Sequence, residues 1–273
     1  MIPQLFPSSD EGCAYVAQLV IDRIVAFNPT EERPFVMGLP TGSSPEGVYR
    51  RLVEAHKNGL SFRNVVTFNM DEYCGLEPTN DQSYHYFMYH HFFNHVDIPE
   101  KNIHILNGQS DNFELECANY ESTIASFGGI NLFLAGVGVE GHIAFNEKGS
   151  TRDSRTRQVF LDESTIRVNS RFFEDPSLVP RSALSVGVST VLAAQEVIIL
   201  AFGFAKAEAV KKTLLAEVSP DCPSTFAREH LNSQLIIDTG SASGLGALAQ
   251  SLPMHDGSPV FEEIPAVKKV EAK

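Results

Sequence analysis

Cysteine is scarce in this chain, and its placement narrows the possibilities. Cys13, Cys74, Cys117 and Cys222 are scattered through 273 residues, and no CxxC pair occurs. A disulfide scaffold and a cysteine-ligated zinc site are both disfavoured, and reduced thiols in the cytoplasm are expected. Positive charge is also short, with 21 Lys and Arg against 34 Asp and Glu and a net charge of -13. Nucleic-acid phosphates would be repelled. A small anionic substrate would not, because a few basic groups can form a local positive pocket. No apolar run approaches the roughly 18 residues of a membrane span. The opening "MIPQLFPSSDEG" lacks the basic-then-apolar pattern of a secretion signal. No Gly/Ser/Pro-rich linker and no internal repeat divide the chain. One domain over residues 1–252 is expected, followed by a flexible tail over 253–273 that ends "VKKVEAK".

What is present is an alternation of apolar runs and helix-length segments. "AYVAQLVIDRIVAF" reads as an amphipathic helix. "PFVMGLP" (34–40) precedes a helix from about Pro45 to His56, and "NVVTFNM" (64–70) precedes an aromatic helix near 83–94. "KNIHIL" (101–106), a helix near 114–126 and "INLFLAG" (130–136) follow. "ALSVGVS", "EVIILAFG" (196–203), a helix near 205–216 and "QLIID" (234–238) complete the pattern. Short apolar strands joined by helices predict an α/β fold: a single-domain, Rossmann-like, open and mainly parallel sheet with helices on both faces. In such sheets ligands bind beyond the carboxyl ends of the strands, so the residues just after each strand are the informative ones.

Four places stand out. In "GLPTGSSPEGVYRRL", Thr41, Gly42, Ser43 and Ser44 follow a strand, with Pro45 suited to the first turn of a helix. Gly allows close backbone approach and helix-start amides attract anions, so a phosphate cradle is one reading and a capped helix the other. In "FNMDEYCGL", Asp71 and Glu72 stand where an apolar strand stops. Alternation along an extended strand lets only one of them face a cleft. In "LFLAGVGVEGHIAFNEKGS", a strand breaks into glycines that carry Glu140 and His142, with Glu147 shortly after. If that segment is extended, residues 140 and 142 share one side, and a carboxylate beside a His suits acid–base work near neutral pH. A polar histidine in a Gly-rich loop, or a metal held by these three side chains, are the alternatives; no short metal signature fits well. Finally, Arg171 in "NSRFFED" and Lys206 in "FGFAKAEAV" could balance a phosphate, or could be plain surface cations. His91 and His95 are four apart, but without a third ligand an aromatic core helix is preferred. "STRDSRTRQ" (150–158) reads as a basic, solvated loop that could also meet an anionic effector.

Taken together, "PFVMGLPTGSSPEGVY", "VVTFNMDEYCGL", "GVGVEGHIAFNEKGS", "SRFFED" and "ALSVGVSTVL" resemble, in this order, the glucosamine-6-phosphate deaminases, also called isomerases. The resemblance spans roughly residues 12–238. The wider superfamily also contains 6-phosphogluconolactonases and the sugar-sensing domains of some transcription regulators. The resemblance implies conversion of D-glucosamine 6-phosphate and water to D-fructose 6-phosphate and ammonia, with no metal or organic cofactor. It implies Asp71 as the base that shuttles the C2 proton, and His142 as an aid to ring opening, oriented or charged by Glu140 and Glu147. It implies phosphate contacts from Thr41, Gly42, Ser43, Ser44, Arg171 and Lys206. It also implies a cytoplasmic homo-oligomer, commonly a hexamer. Allosteric members respond to N-acetylglucosamine 6-phosphate. Ser150 and Arg157 match that effector site, but Val159 stands where a Lys is expected. Glu140 replaces an Asp common in the family, the stretch "SPDCPSTFAREH" lacks a Trp seen in some relatives, and the chain diverges beyond Asp238. A lactonase needs no C2 proton shuttle, so "FNMDEY" argues against that reading. A regulator usually carries a DNA-binding segment, whereas only about ten residues precede the first expected helix.

Overall fold

The computed structural model describes residues 1–170, 173, 175 and 178–255. In chain order the strands are β1 (Ile2–Phe6), β2 (Phe35–Leu39), β3 (Val65–Asn69), β4 (Asp71–Tyr73), β5 (Ile103–His104), β6 (Leu132–Gly136), β7 (Arg157–Phe160), β8 (Ser182–Ser185), β9 (Glu196–Ala201) and β10 (Ser233–Asp238). The α-helices are α1 (Ser9–Phe27), α2 (Ser43–Lys57), α3 (Tyr84–His91), α4 (Phe113–Ser126), α5 (Glu163–Asn169), α6 (Val188–Leu192), α7 (Ala207–Leu215) and α8 (Ala247–Ser251). Seven strands pair in parallel in the order β1-β10-β9-β6-β2-β3-β5.

The central strands are apolar on both sides because both sheet faces are covered. Along β2, Phe35, Met37 and Leu39 pack in one core with Val16 of α1, Leu52 of α2 and Met88 of α3. Val36 packs in the other core, with Cys117 of α4 and Ala209 of α7. The same alternation runs through β6, where Leu132 and Leu134 join the first core and Phe133 and Ala135 the second. At α1 the Ser8 hydroxyl accepts from the Glu11 N–H, which satisfies an amide left free at the helix start.

Connectivity then places the crevice. From β2 the chain steps outward through β3 and β5; it returns to β6, beside β2, and steps the other way through β9 and β10. The reversal lies between β2 and β6, and a crevice at the carboxyl ends of these strands is where an open α/β sheet binds its ligand.

Strand β1 is an edge strand, a position that tolerates Pro3. Two expectations need correction. Strands β4, β8 and β7 form a separate antiparallel sheet, so "ALSVGVS" contributes only Ser182–Ser185 and pairs antiparallel. These strands of three or four residues are too short for periodicity to reveal. Helix α2 begins at Ser43, two residues before Pro45. Proline is still tolerated there, since the first four amides of a helix have no partner within it. Of the expected tail, Met254 already bridges to Leu5 and His255 stacks on Phe6, and residues 256–273 lie outside the described residues. Among the described residues no helix is long and apolar enough to cross a membrane.

Candidate active site

Four strand ends deliver the candidate residues to one edge of the large sheet. After β2, the chain turns at Gly42, whose φ of 94° is in the left-handed region that favours glycine. Gly42 caps α2 without a side-chain hydrogen bond, and Gly42 and Ser43 are exposed, so the helix presents open amides at its N-terminus. Thr41 and Ser44 are half-buried beside them. The positive end of a helix dipole and unpaired N–H groups together favour an anion at this position. The Met70 N–H donates to the Leu39 carbonyl at 3.0 Å, which keeps the end of β3 beside the end of β2.

Asp71 and Glu72 separate as strand alternation requires. Glu72 accepts from the backbone N–H groups of Tyr73, Tyr84 and His85 at 2.8, 2.9 and 2.7 Å. Its carboxylate therefore ties β4 to the start of α3. Asp71 points the other way, only 6% exposed, and among the described residues no side chain donates to its carboxylate. Burial pushes the Asp71 carboxyl well above the usual carboxylate range, and the neighbouring charge of Glu72 adds to the shift. Such a group is a stronger base than a solvated aspartate.

The glycine-rich segment after β6 is a folded-back loop, not an extended strand. Gly141, at φ 93°, donates its N–H to the Gly138 carbonyl, and the Gly138 N–H donates to the His142 carbonyl. Alternation therefore fails here, and Glu140 and His142 do not share a side as expected from their spacing. Glu140 is exposed, with its carboxylate 3.9 Å from the Lys212 ammonium. The partner of His142 is Glu147, whose Oε2 lies 2.9 Å from Nδ1. Burial pushes the Glu147 carboxyl up, but the hydrogen bond and charge of His142 and the Thr165 hydroxyl outweigh it and hold it below its ordinary value. Facing a carboxylate, Nδ1 carries a proton and leaves Nε2 for chemistry. Gly138 makes room for the ring: a Cβ there would sit 1.9 Å from Nε2. Ala144 adopts φ 51°, which is uncommon for a residue with a side chain and marks a loop held under strain by its surroundings.

Hydrogen bonds through β8 bring this loop to Asp71. Across the small sheet Asp71 pairs with Ser185, whose hydroxyl accepts the Phe145 N–H at 3.0 Å. The next residue, Val186, donates its N–H to the Met70 carbonyl and accepts from the Asn146 amide at 2.8 Å. Residues 70–71 and 145–146 are thus fastened to the same two residues of the chain, across the reversal between β2 and β6. After β9, Gly203 leads into a short turn ending at half-buried Lys206. Asp238, at the end of β10, holds this turn by accepting the Gly203 N–H with both carboxylate oxygens, at 2.9 and 3.0 Å. Arg171 lies outside the described residues. Among the described residues no group of three or more His, Cys, Asp or Glu side chains could hold a metal ion.

The family model for glucosamine-6-phosphate isomerases/6-phosphogluconolactonase matches residues 7–236. The chain belongs to that family. It is 52% identical over 242 residues to a glucosamine-6-phosphate isomerase from Candida albicans, covering 87% of this chain and 96% of that one. It is 50% identical over 244 residues to a glucosamine-6-phosphate deaminase from Treponema denticola, covering 88% and 90%. A solved monomeric glucosamine-6-phosphate deaminase superposes with a TM-score of 0.85 at 38% identity, covering 89% of this chain and all (100%) of that one.

Residues other than the expected ones hold the candidate groups in place. Thr165 donates to Glu147 Oε1 at 2.5 Å, Ser185 anchors the loop, and Asp238 holds the turn of Lys206. None of them stands near its partner in sequence, so spacing carries no signal for them. Arg157 reaches Asn146 Oδ1 and Ser150 Oγ, each at 2.9 Å, joining the two residues matched to an effector site. Both line a cavity of about 410 Å³ with Lys148 and Ser154. Val159 points inward and packs with Tyr73 and Phe145, so no cation comes from that position.

Proposed function

We propose that this protein converts D-glucosamine 6-phosphate and water into D-fructose 6-phosphate and ammonia. One observation carries the reading: the segment of a buried carboxylate with no side-chain donor among the described residues (Asp71) and the loop of a carboxylate-backed imidazole (His142) are fastened to the same two residues, Ser185 and Val186. In the proposed cycle the substrate phosphate sits at the open start of α2, among Thr41, Gly42, Ser43 and Ser44, with Lys206 and Arg171 as countercharges. Binding energy from that remote group orients C1 and C2. His142, its Nδ1–H held by Glu147, uses Nε2 to relay the proton of the anomeric hydroxyl to the ring oxygen as the C1–O5 bond breaks. Asp71 then removes the C2 proton and returns it to C1 while a proton passes from the substrate ammonium to O1, which turns the amino aldehyde into a C1 alcohol and a C2 iminium. Water adds at C2 and ammonia leaves, giving the ketone. A base whose proton affinity is raised by burial suits this shuttle. Glu140, paired with Lys212, takes no part in these steps.

Assembly and location belong to the same reading. We take residues 1–252 as the catalytic domain of a cytoplasmic enzyme, consistent with four unpaired cysteines. The family resemblance implies a homo-oligomer, commonly a hexamer, whereas the solved relative is a monomer; sedimentation decides between them. Ser150 and Arg157 are the retained part of an effector site, which sigmoidal kinetics abolished by N-acetylglucosamine 6-phosphate would establish. The decisive test measures ammonia and fructose 6-phosphate from glucosamine 6-phosphate, with a chelator present and 6-phosphogluconolactone as a control substrate. Equimolar products, insensitive to the chelator, are expected. Absence of ammonia, or lactone hydrolysis in its place, overturns the proposal.

A further inference from the structure

The Glu147 carboxylate is held at both oxygens, and only one of its partners is His142. Oε2 faces His142 Nδ1 at 2.9 Å, and Oε1 accepts from the Thr165 hydroxyl at 2.5 Å. Glu147 is 8% exposed and Thr165 6%, so water does not readily replace that hydroxyl. Thr165 comes from α5, a helix outside the glycine-rich loop. Leu161, just before α5, and Ile166, within it, pack with Tyr73, Phe145 and Val159 of the small-sheet core. Tyr73 and Val159 lie outside that loop, so the small sheet as well as the loop sets the position of the helix.

We infer that Thr165 is a positioning residue for the reaction: its hydroxyl fixes the Glu147 carboxylate in the rotation that keeps His142 Nδ1 protonated and Nε2 turned to the substrate. The inference rests on the reading of His142 and Glu147 as a working pair. A carboxylate deprived of this donor keeps one buried oxygen unsatisfied and can rotate or take up a proton instead. Hydrogen bonds to charged groups are the strong ones in a dry setting, and His142 acts only through the orientation its partner enforces.

The test compares Thr165→Val, Thr165→Cys and Thr165→Ser with the parent chain, by pH profiles of kcat and KM and by the imidazole ¹⁵N signals of His142, assigned with His142→Gln. Removing the donor is expected to lower kcat roughly tenfold to a hundredfold, with KM little changed. The acid limb of the kcat profile should move to higher pH, because Glu147 then binds a proton more readily. Serine should restore both, and cysteine, a weak donor of similar bulk, should fall between serine and valine. A valine variant that is folded and keeps the parental limb and kcat overturns the inference, as does equal loss with serine and valine and no limb shift. If valine fails to fold, cysteine carries the test by the same criteria. The ¹⁵N signals separate the two levels of the argument. A parent that makes no ammonia defeats the proposed reaction, whereas His142 signals indifferent to residue 165 defeat the positioning role.

Discussion

Replacing Asp71 by Asn should inactivate the protein while making it more stable at neutral pH. Catalytic loss follows from the role of base: a positioned acid–base group contributes roughly 10²–10⁴-fold, or about 2.7–5.4 kcal/mol on the barrier. The stability gain follows from burial. The carboxylate is 6% exposed, has no hydrogen-bond donor among the described residues, and sits beside Glu72, so its folded-state pKa is raised well above 3.8. A group with a raised folded pKa contributes stability that is complete below its unfolded pKa and is lost as pH rises through the folded value. Between the two values the folded state keeps a proton that the unfolded state has released. Stability therefore falls by up to about 1.4 kcal/mol per pH unit. Asparagine has the same shape and no charge to desolvate. The melting temperature of Asp71→Asn should thus draw ahead of the parent as pH rises from about 4 to 8, at about 2–4 °C for each kcal/mol. Thermal melts across that range and ammonia release at pH 7 check both halves. A variant that keeps its activity removes the base. A melting gap that closes or reverses with rising pH shows that the buried carboxylate is not under electrostatic cost.

Other outcomes can be measured alongside. Gly138→Ala should fold normally yet lose roughly a hundredfold or more in kcat, since the new Cβ would stand 1.9 Å from His142 Nε2 and must displace the ring. Glu147→Gln should cost stability in full above the ordinary glutamate pKa of 4.5, and the difference from the parent should shrink in urea melts as pH falls through the lowered folded value. Glu72→Ala should destabilise by about 1–3 kcal/mol, because it strips buried acceptors from three backbone amides at the start of α3, which hydrogen exchange of Tyr84 and His85 would report. Asp238→Asn should raise KM roughly tenfold with a smaller change in kcat, since it loosens the Gly203 turn that carries Lys206 rather than the proton-transfer groups.

Much of the fold was legible because its signals are local. The runs at 34–40, 64–70, 130–136 and 196–203 read as strands buried on both faces, and β2, β3, β6 and β9 occupy them. Glycine and acid placement just after those runs marked candidate groups at the carboxyl edge of the sheet, and strand alternation separated Asp71 from Glu72. The same rule misplaced Glu140, since alternation holds only where the chain is extended and Gly141 turns it back.

The amino-acid order alone therefore determined the α/β pattern, the depth of its core strands and the candidate groups at their ends. Burial and backbone period are encoded residue by residue, so they survive reading one segment at a time. Tertiary structure alone decided the partners. Thr165 meets Glu147 from 18 residues away, and Ser185 meets Phe145 from 40, through a small sheet whose strands are too short to announce themselves. Hydrogen bonds between distant segments depend on how the helices and both sheets pack, and no spacing along the chain encodes that.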